Sequence, residues 1–544
     1  MKYIMSMVHH NPGEAPFESI FNDAENLSAY GYNAQVFKHI NTVITFDKLG
    51  LDLFPKGSED RKWLDSFTQS LVGEMKQAKA AGKEVYYHID LFVLPKKLVE
   101  AYKGEILDEN GKISLEKEMT LELHRVLIDE VFSRFPEIDG FIIRVGETYL
   151  HDTPYHIGNG AVIYGDKEKE KAQFIRLIEF LKEEVSIKWG KKLFFRTWDC
   201  FPDRFHADLN YYLDITDKIE PHENLYFSIK YVALDFWRRV KWNECLCKGK
   251  HKQIIEVQCQ REYEGKGAYP MYVMSDVING DKYLKKVVGL KDVIDNPLID
   301  GIYAWPRGGG WLGPRIKNEF WCRLNTYVLG KYAENPSRTE EEIFSEFCRE
   351  DLKLSKKDTE LFREMCLTAN EAILRSRYIE EYDKTLNESF MPSGNWMRDE
   401  CLGGMDQLGE AFEVLYENNS IDAAVKEKEQ GLSLWKKVKE ISEKIDFSNS
   451  LDGEFIKITA EYAVKLFAIT VIGWKLMAEG FIYTKTGKAD KKLFEELLME
   501  FDRAVEEYRK LSENPICPSL YGLEFLFDQK GMLTTINNYK NDIL

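Results

Sequence analysis

The chain has 544 residues, 44% of them hydrophobic and 30% charged, a balance that excludes a small stapled scaffold and long disorder and leaves room for about three or four domain-sized units. Carboxylates outnumber Lys and Arg, 91 against 74, for a net charge of −17; with no local basic stripe, the surface repels phosphate backbones and nucleic acid is not an expected partner. Aromatic side chains reach 13%, and flat rings either fill cores or stack on ligand faces such as sugars.

The N-terminal run MKYIMSMVHHNPGE has one lysine and a short apolar stretch, so it reads as neither a signal peptide nor a lipidation site. No window approaches the roughly 18 uninterrupted apolar residues of a membrane span. Nine cysteines, with one close pair at Cys245 and Cys247, form no disulfide or CxxC metal framework and read as reduced, mostly buried thiols. The expectation is a soluble cytoplasmic protein with no membrane partner.

Strand-length apolar runs then recur at Tyr3 to Val8, Asn33 to Phe37, Glu84 to Ile89, Gly140 to Val145, Leu193 to Thr197, Leu225 to Lys230, Gln253 to Gln258 and Gly301 to Trp305. Between them lie helical periodicities such as Leu64 to Ala81, Glu118 to Phe135 and Lys167 to Trp189, and a loop holding HDTPYHIGNG. This alternation predicts an α/β fold, a (β/α)8 TIM barrel over residues 1–335. A doubly wound sheet would normally carry a GxGxxG or a P-loop, and neither is present. From 336 to 544 the strand signal stops: Thr339 to Leu352, Lys356 to Arg377, Ile421 to Ile445, Gly453 to Glu479 and Asp490 to Ser512 read as helices, joined by loops such as Met391 to Trp396. An all-α C-terminal domain without a repeat period is expected there, with a surface suited to homodimerisation.

Function in a barrel of this kind gathers at the C-terminal ends of the strands. Reading those ends in turn, strand four runs GFIIRVGETY to Glu147, strand six continues SIKYVALDF to Asp235, and strand seven continues IIEVQCQREYEG to Glu262. Paired carboxylates across a pocket are what glycosidic hydrolysis requires, one to protonate the leaving oxygen and one to activate water or attack. With 91 acids, isolated carboxylates at loop starts also arise by chance.

Three cations sit late in otherwise apolar strands. Alternation puts Arg144 on the face of Ile142, Arg196 on that of Phe194 and Lys230 on that of Ser228, while Glu256 and Gln258 share a face of strand seven. These groups are expected to line the lumen near its mouth. Two compatible readings stand side by side: they bind an anionic substrate, or they neutralise Glu147, Asp235, Glu256 and Glu262. Weaker candidates are His9 and His10, which end strand one and lead to Asn11 and Glu14, either hydrogen-bonding sugar hydroxyls or ordinary loop residues, and Trp198, Trp305 and Trp311 at strand ends, for stacking on a sugar or for core packing. His151 and His156 lack the HExxH spacing of a zinc helix, and no metal is expected. The run Arg307 to Trp311 lacks the GK[ST] of a phosphate loop and reads as backbone turning closely around a ligand.

The segments SIKYVALDF, EVQCQREYEGKGAY, GGGWLG and RLNTYVLGKYAENPSRTEEEIFSEF, with DGFIIRVGE upstream, together resemble the α-glucuronidases of glycoside hydrolase family 67, in order and approximate spacing from Asn33 into the helical domain. The resemblance implies Glu147 as general acid, Asp235 and Glu262 as the groups that position and deprotonate water, an inverting mechanism without metal or organic cofactor, and Arg144 and Arg196 as cations that engage a sugar carboxylate. Departures from the family are the lack of its N-terminal α/β domain, HHNPGE in place of a Trp-Asp segment, a strand-four loop one residue shorter, and Arg for Lys near it. They leave open another uronic acid, a neutral sugar, or a noncatalytic carbohydrate-binding barrel.

Overall fold

A computed structural model describes residues 1–9, 17–281, 288–310, 312–385, 401–448 and 450–544. Among them a closed parallel barrel runs through β1 (Tyr3–Val8), β2 (Ala34–Lys38), β3 (Glu84–Asp90), β4 (Gly140–Arg144), β5 (Lys192–Arg196), β6 (Leu225–Lys230), β7 (Lys252–Gln258) and β8 (Ile299–Arg307). Each strand pairs with its successor, and β8 closes on β1 with Tyr3 opposite Gly301 and Ser6 opposite Ala304. The strands are apolar on both faces because both are covered, one by helices and one by the lumen. β1 and β6 begin and end where the sequence predicts, and the other strands differ by one or two residues.

The lower lumen is an aromatic plug. Tyr3 and Tyr86 each meet the Phe194 ring edge-on at 5.2 and 5.1 Å, and Phe194 stacks on Tyr226 at 4.9 Å. Ile142 and Phe194 belong to this inner cluster, so the alternation that puts Arg144 and Arg196 two residues further along the same faces holds. The barrel is therefore a packed core with a polar mouth.

Connecting helices are fixed at their starts by side chains that satisfy free N–H groups: Ser58 caps helix Glu59–Ala80, Asp166 caps Lys167–Leu181 and Asp208 caps Leu209–Thr216. The predicted helix Lys167 to Trp189 is α-helical only to Leu181 and continues as a π-helical stretch, Lys182–Lys188. The HDTPYHIGNG segment is not all loop, since His156–Gly158 pairs with Val93–Pro95 in an antiparallel ribbon.

Beyond helix Phe320–Glu334, which packs on the barrel, come helices Glu340–Glu350, Lys356–Arg377, Met405–Glu417, Ile421–Lys444, Leu451–Thr486, Lys491–Arg509 and Met532–Ile543. Thr339 and Glu342 form a capping box at the first. One short hairpin, Phe525–Leu526 with Gln529–Lys530, interrupts the helical pattern. The apolar layer outside the barrel runs on into these helices: Trp321 stacks on Phe362 at 6.1 Å and its indole N–H donates to Thr459 at 3.2 Å. From the β7–β8 connection, Tyr269 meets Trp435 and Phe467, each at 5.4 Å. All nine cysteines are free, seven of them buried. Among the described residues no helix is long and apolar enough to cross a membrane.

Candidate functional site

Strand ends bring Glu147 from β4, Asp235 from β6 and Glu262 from β7 into one narrow pocket of about 90 Å³ at the barrel mouth. The same pocket is lined by Arg144, Arg196, Lys230, Trp198 and Trp305, with His9, Tyr149, Phe236, Tyr263, Gly309 and Gly310. Thus nine of the side chains singled out in the sequence converge, His9 among them. Asn11, Glu14, Trp311, His10 and the Met391 to Trp396 loop lie outside the described residues.

Asp235 and Glu262 form a unit. Lys230 Nζ donates to Asp235 Oδ1 at 2.6 Å, and the Tyr263 hydroxyl donates to Oδ2 at 2.8 Å. Burial opposes ionisation of Asp235, but the Lys230 charge, these hydrogen bonds and one from the Glu262 carboxyl outweigh it and hold Asp235 below the usual carboxylate range. Glu262 is pushed well above that range, first by burial and then by the negative charge of Asp235. These opposite shifts favour Glu262 over Asp235 as the holder of a proton. Glu147 is half-buried and accepts a hydrogen bond from the Tyr149 hydroxyl at 3.3 Å.

Each expected cation has a carboxylate, though not always the expected one. Arg144 grips both oxygens of Asp90 through Nε and Nη2, and its guanidinium lies 4.0 Å from the centre of the Tyr149 ring. This corrects the expectation that Arg144 pairs with Glu147, Asp235, Glu256 or Glu262: its partner is Asp90, the acid that ends β3. Arg196 pairs with Glu256 through two bonds of 2.7 Å, and Ser228 adds a third to Glu256 at 2.7 Å. Lys230 sits 3.4 Å over the Trp198 ring.

His88 lies beneath, its protonation disfavoured by burial and by the charges of Arg196, Arg144 and Lys38. Arg196 Nη1 approaches His88 Nε2 at 3.5 Å; an arginine only donates, so Nε2 accepts and Nδ1 carries the hydrogen toward the Tyr303 hydroxyl at 3.1 Å. On β2, Lys38 makes no ion pair among the described residues, and burial, then the Arg144 charge, push its amine down to about 7. Asp90, His88 and Lys38 were missed by the sequence reading. The same period of two that exposed Arg144 marks them, at Val36–Lys38 and Tyr86–His88–Asp90.

The Gly308 to Gly310 run turns close, but against the protein itself. Gly308 and Gly309 have φ of 102° and 116°, and a Cβ on Gly309 would stand 2.4 Å from Glu262 Oε2, while one on Gly308 would stand 1.8 Å from the His9 carbonyl oxygen. His9 itself stacks on Trp305 at 5.9 Å. His151 and His156 do not converge: His156 packs on Trp63 at 5.8 Å, whereas His151 lies 3.3 Å from Asp152. A larger open groove of about 610 Å³ between Phe17–Ile20 and Arg315–Arg323 has two of its arginines paired, Arg307 with Glu319 at 2.9 Å and Arg323 with Asp452 and, at 2.9 Å, Asp351.

No protein-family model and no curated protein matches the sequence. Among solved structures, a GH138 enzyme targeting pectin rhamnogalacturonan II matches with a TM-score of 0.55 at 11% identity, over 100% of this chain and 67% of its own. That likeness shows the fold, a TIM barrel with its helical region. An O-GlcNAc hydrolase mutant of Thermobaculum terrenum matches at a TM-score of 0.35 and 10% identity over 100% of this chain and 94% of its own. A D-psicose 3-epimerase from Clostridium cellulolyticum matches at 0.32 and 9% over 61% and 99%.

Proposed function

We propose that the protein hydrolyses glycosidic bonds, removing one sugar at a time from the end of a short oligosaccharide. The observation that carries this reading is the convergence of Asp235, Glu262 and Glu147 in one narrow pocket, where Lys230 and Tyr263 bind Asp235 and lower its proton affinity while burial and Asp235 raise that of Glu262. A leaving oxygen needs a proton and the anomeric carbon needs an activated water or a nucleophile, so a pocket with both forms of carboxyl is equipped for the reaction. The aromatic plug beneath closes the pocket floor and favours a single terminal sugar.

The electrostatics favour Glu262 as proton donor, with Asp235 keeping it protonated and Glu147 left to bring in water. That reverses the roles that the family resemblance implies. Leaving-group dependence separates the two assignments. Glu262→Gln should retain activity on dinitrophenyl glycosides or glycosyl fluorides, which depart without a proton, and lose it on alkyl glycosides; Glu147→Gln should lose both. The opposite pattern restores the implied roles. Absence of turnover across α- and β-linked neutral and uronic aryl glycosides would sink the hydrolase reading in favour of a carbohydrate-binding barrel.

An acidic sugar, as in an α-glucuronide, is the finer reading, and Lys38 favours it. Arg144, Arg196 and Lys230 are each taken by a carboxylate, whereas Lys38, at the end of β2 and opposite His88 on the strand that carries Asp90, makes no ion pair among the described residues. Lys38→Met should raise KM for a uronide roughly tenfold, the worth of one charged hydrogen bond, and leave neutral glycosides unaffected. Equal effects on both would remove the acidic-sugar reading.

A further inference from the structure

The loop after β6 that carries Asp235 and the loop after β7 that carries Glu262 are laced together residue by residue. Trp237 stacks on Tyr263 with centroids 4.1 Å apart and planes at 16°. Arg261 Nη1 donates to the Phe236 carbonyl at 2.9 Å. Arg238 donates to Glu264 through Nε at 2.7 Å and through its backbone N–H at 3.1 Å.

Behind the lacing stands one side chain from the helical region. Tyr378 follows helix Lys356–Arg377 and is fully buried. Its hydroxyl donates to Glu264 at 2.6 Å and accepts the Arg238 backbone N–H at 2.7 Å. A phenol oxygen can donate once and accept as well, so this one atom touches both loops at once. On its far side, Lys428 of helix Ile421–Lys444 donates to the Tyr378 carbonyl and fixes the residue in place.

We infer that Tyr378 is a positioning residue that holds the Asp235 and Glu262 loops together, so that the helical region sets the geometry of the carboxyl pair without touching substrate. The kinetic consequence rests on the glycosidase reading; the structural one does not. Glu262 faces Lys230 and Asp235 from the β6 side, Glu147 and Tyr149 from the β4 side, Lys266 from its own loop and the Gly309 backbone from the β8 side. Glu147 and Lys230 stand at barrel strand ends. The Tyr378 hydroxyl ties the Arg238 backbone to Glu264 at the end of this lacing, and loosening it there lets the loops part, admits water and eases the burial and the repulsion that raise the proton affinity of Glu262.

The test is infrared titration of the full chain, with the Glu262 carboxylic acid band assigned by its loss in Glu262→Gln. In Tyr378→Phe the midpoint of that band should fall by about one pH unit. On any glycoside the wild type turns over, kcat should fall roughly tenfold with KM nearly unchanged, since the loss is one of alignment and not of binding. Glu264→Gln weakens the same contact from the other side and should shift the band likewise, which keeps the test decisive if Tyr378→Phe does not fold. Tyr382→Phe is the helical-region control, because its hydroxyl donates to Glu410 at 3.0 Å, and it should keep the wild-type midpoint. A wild-type midpoint in folded Tyr378→Phe or Glu264→Gln overturns the inference, as does an equal shift in Tyr382→Phe. A shifted midpoint in a protein that cleaves no glycoside would sustain the positioning role and defeat the glycosidase reading.

Discussion

The Arg196–Glu256 pair in the lumen and the Lys230–Asp235 pair at the mouth lie on neighbouring strands and use the same kind of contact, 2.7 and 2.6 Å long. Around Arg196 and Glu256, at most 1% exposed, there is one cation, one anion and a hydroxyl that completes the shell. Around Lys230 there are two carboxyls for one ammonium, and burial and the charge of Asp235 raise the proton affinity of the second, Glu262. In a poorly solvated site a matched pair stays charged and inert, whereas a surplus acid becomes a stored proton. Arg196 of the matched pair forms part of the pocket wall, and the surplus of acid sits with the mouth trio.

The largest effect that could break this contrast is on turnover. Asp235→Asn should lower kcat on a cleaved glycoside about 10³- to 10⁴-fold, the range for loss of an acid–base group, and a loss under tenfold would remove the mouth pair from the chemistry. The lumen pair should respond in stability. Glu256→Gln strands a buried guanidinium and should cost about 3–5 kcal/mol in urea denaturation, against less than about 1 kcal/mol if Arg196 finds another partner.

Gly309→Ala tests how tightly the trio is enclosed, because the added methyl falls on Glu262 Oε2 and the backbone there is left-handed. It should lower kcat/KM about 10²-fold by displacing the carboxyl, with about 1–3 kcal/mol of strain visible in the melt. The smallest effect is on pH dependence. Asp235 must be ionised and its affinity for protons is depressed, so the acid limb of kcat/KM should lie below the ordinary aspartate value of about 3.9. Glu262 must be protonated and its affinity is raised, so activity should persist well above the ordinary glutamate value of about 4.3 and fall as the pH climbs past the raised one. An alkaline limb near that ordinary value would show that the proton is not stored on Glu262.

Much of this was legible because β-strands write their faces as a period of two. Ile142 and Phe194 in the plug fix the direction of Arg144 and Arg196, and a barrel gathers all strand ends at one mouth, so Glu147, Asp235 and Glu262 could be found without coordinates. Asp90 and Lys38 obey the same period but escaped notice, since each ends a strand beside a residue that also suits a loop. Partners were harder. Whether Arg144 meets Asp90 or Glu147 depends on side-chain reach across neighbouring strands, which alternation does not encode. The Tyr378 contact, 114 residues from Glu264, leaves no local trace at all.

The sequence by itself determined the barrel, its strand ends and the helical region that follows, because burial on both faces of a strand and on one stripe of a helix imposes different periods on the same alphabet. It also determined that cations and carboxylates would meet at the mouth of an acidic protein. Only the tertiary structure decided how they are apportioned: Asp90 takes Arg144, Glu256 takes Arg196, and Lys230 donates to Asp235. Proton affinity follows distance and burial, which are properties of the packed mouth, and these raise it at Glu262 and lower it at Asp235.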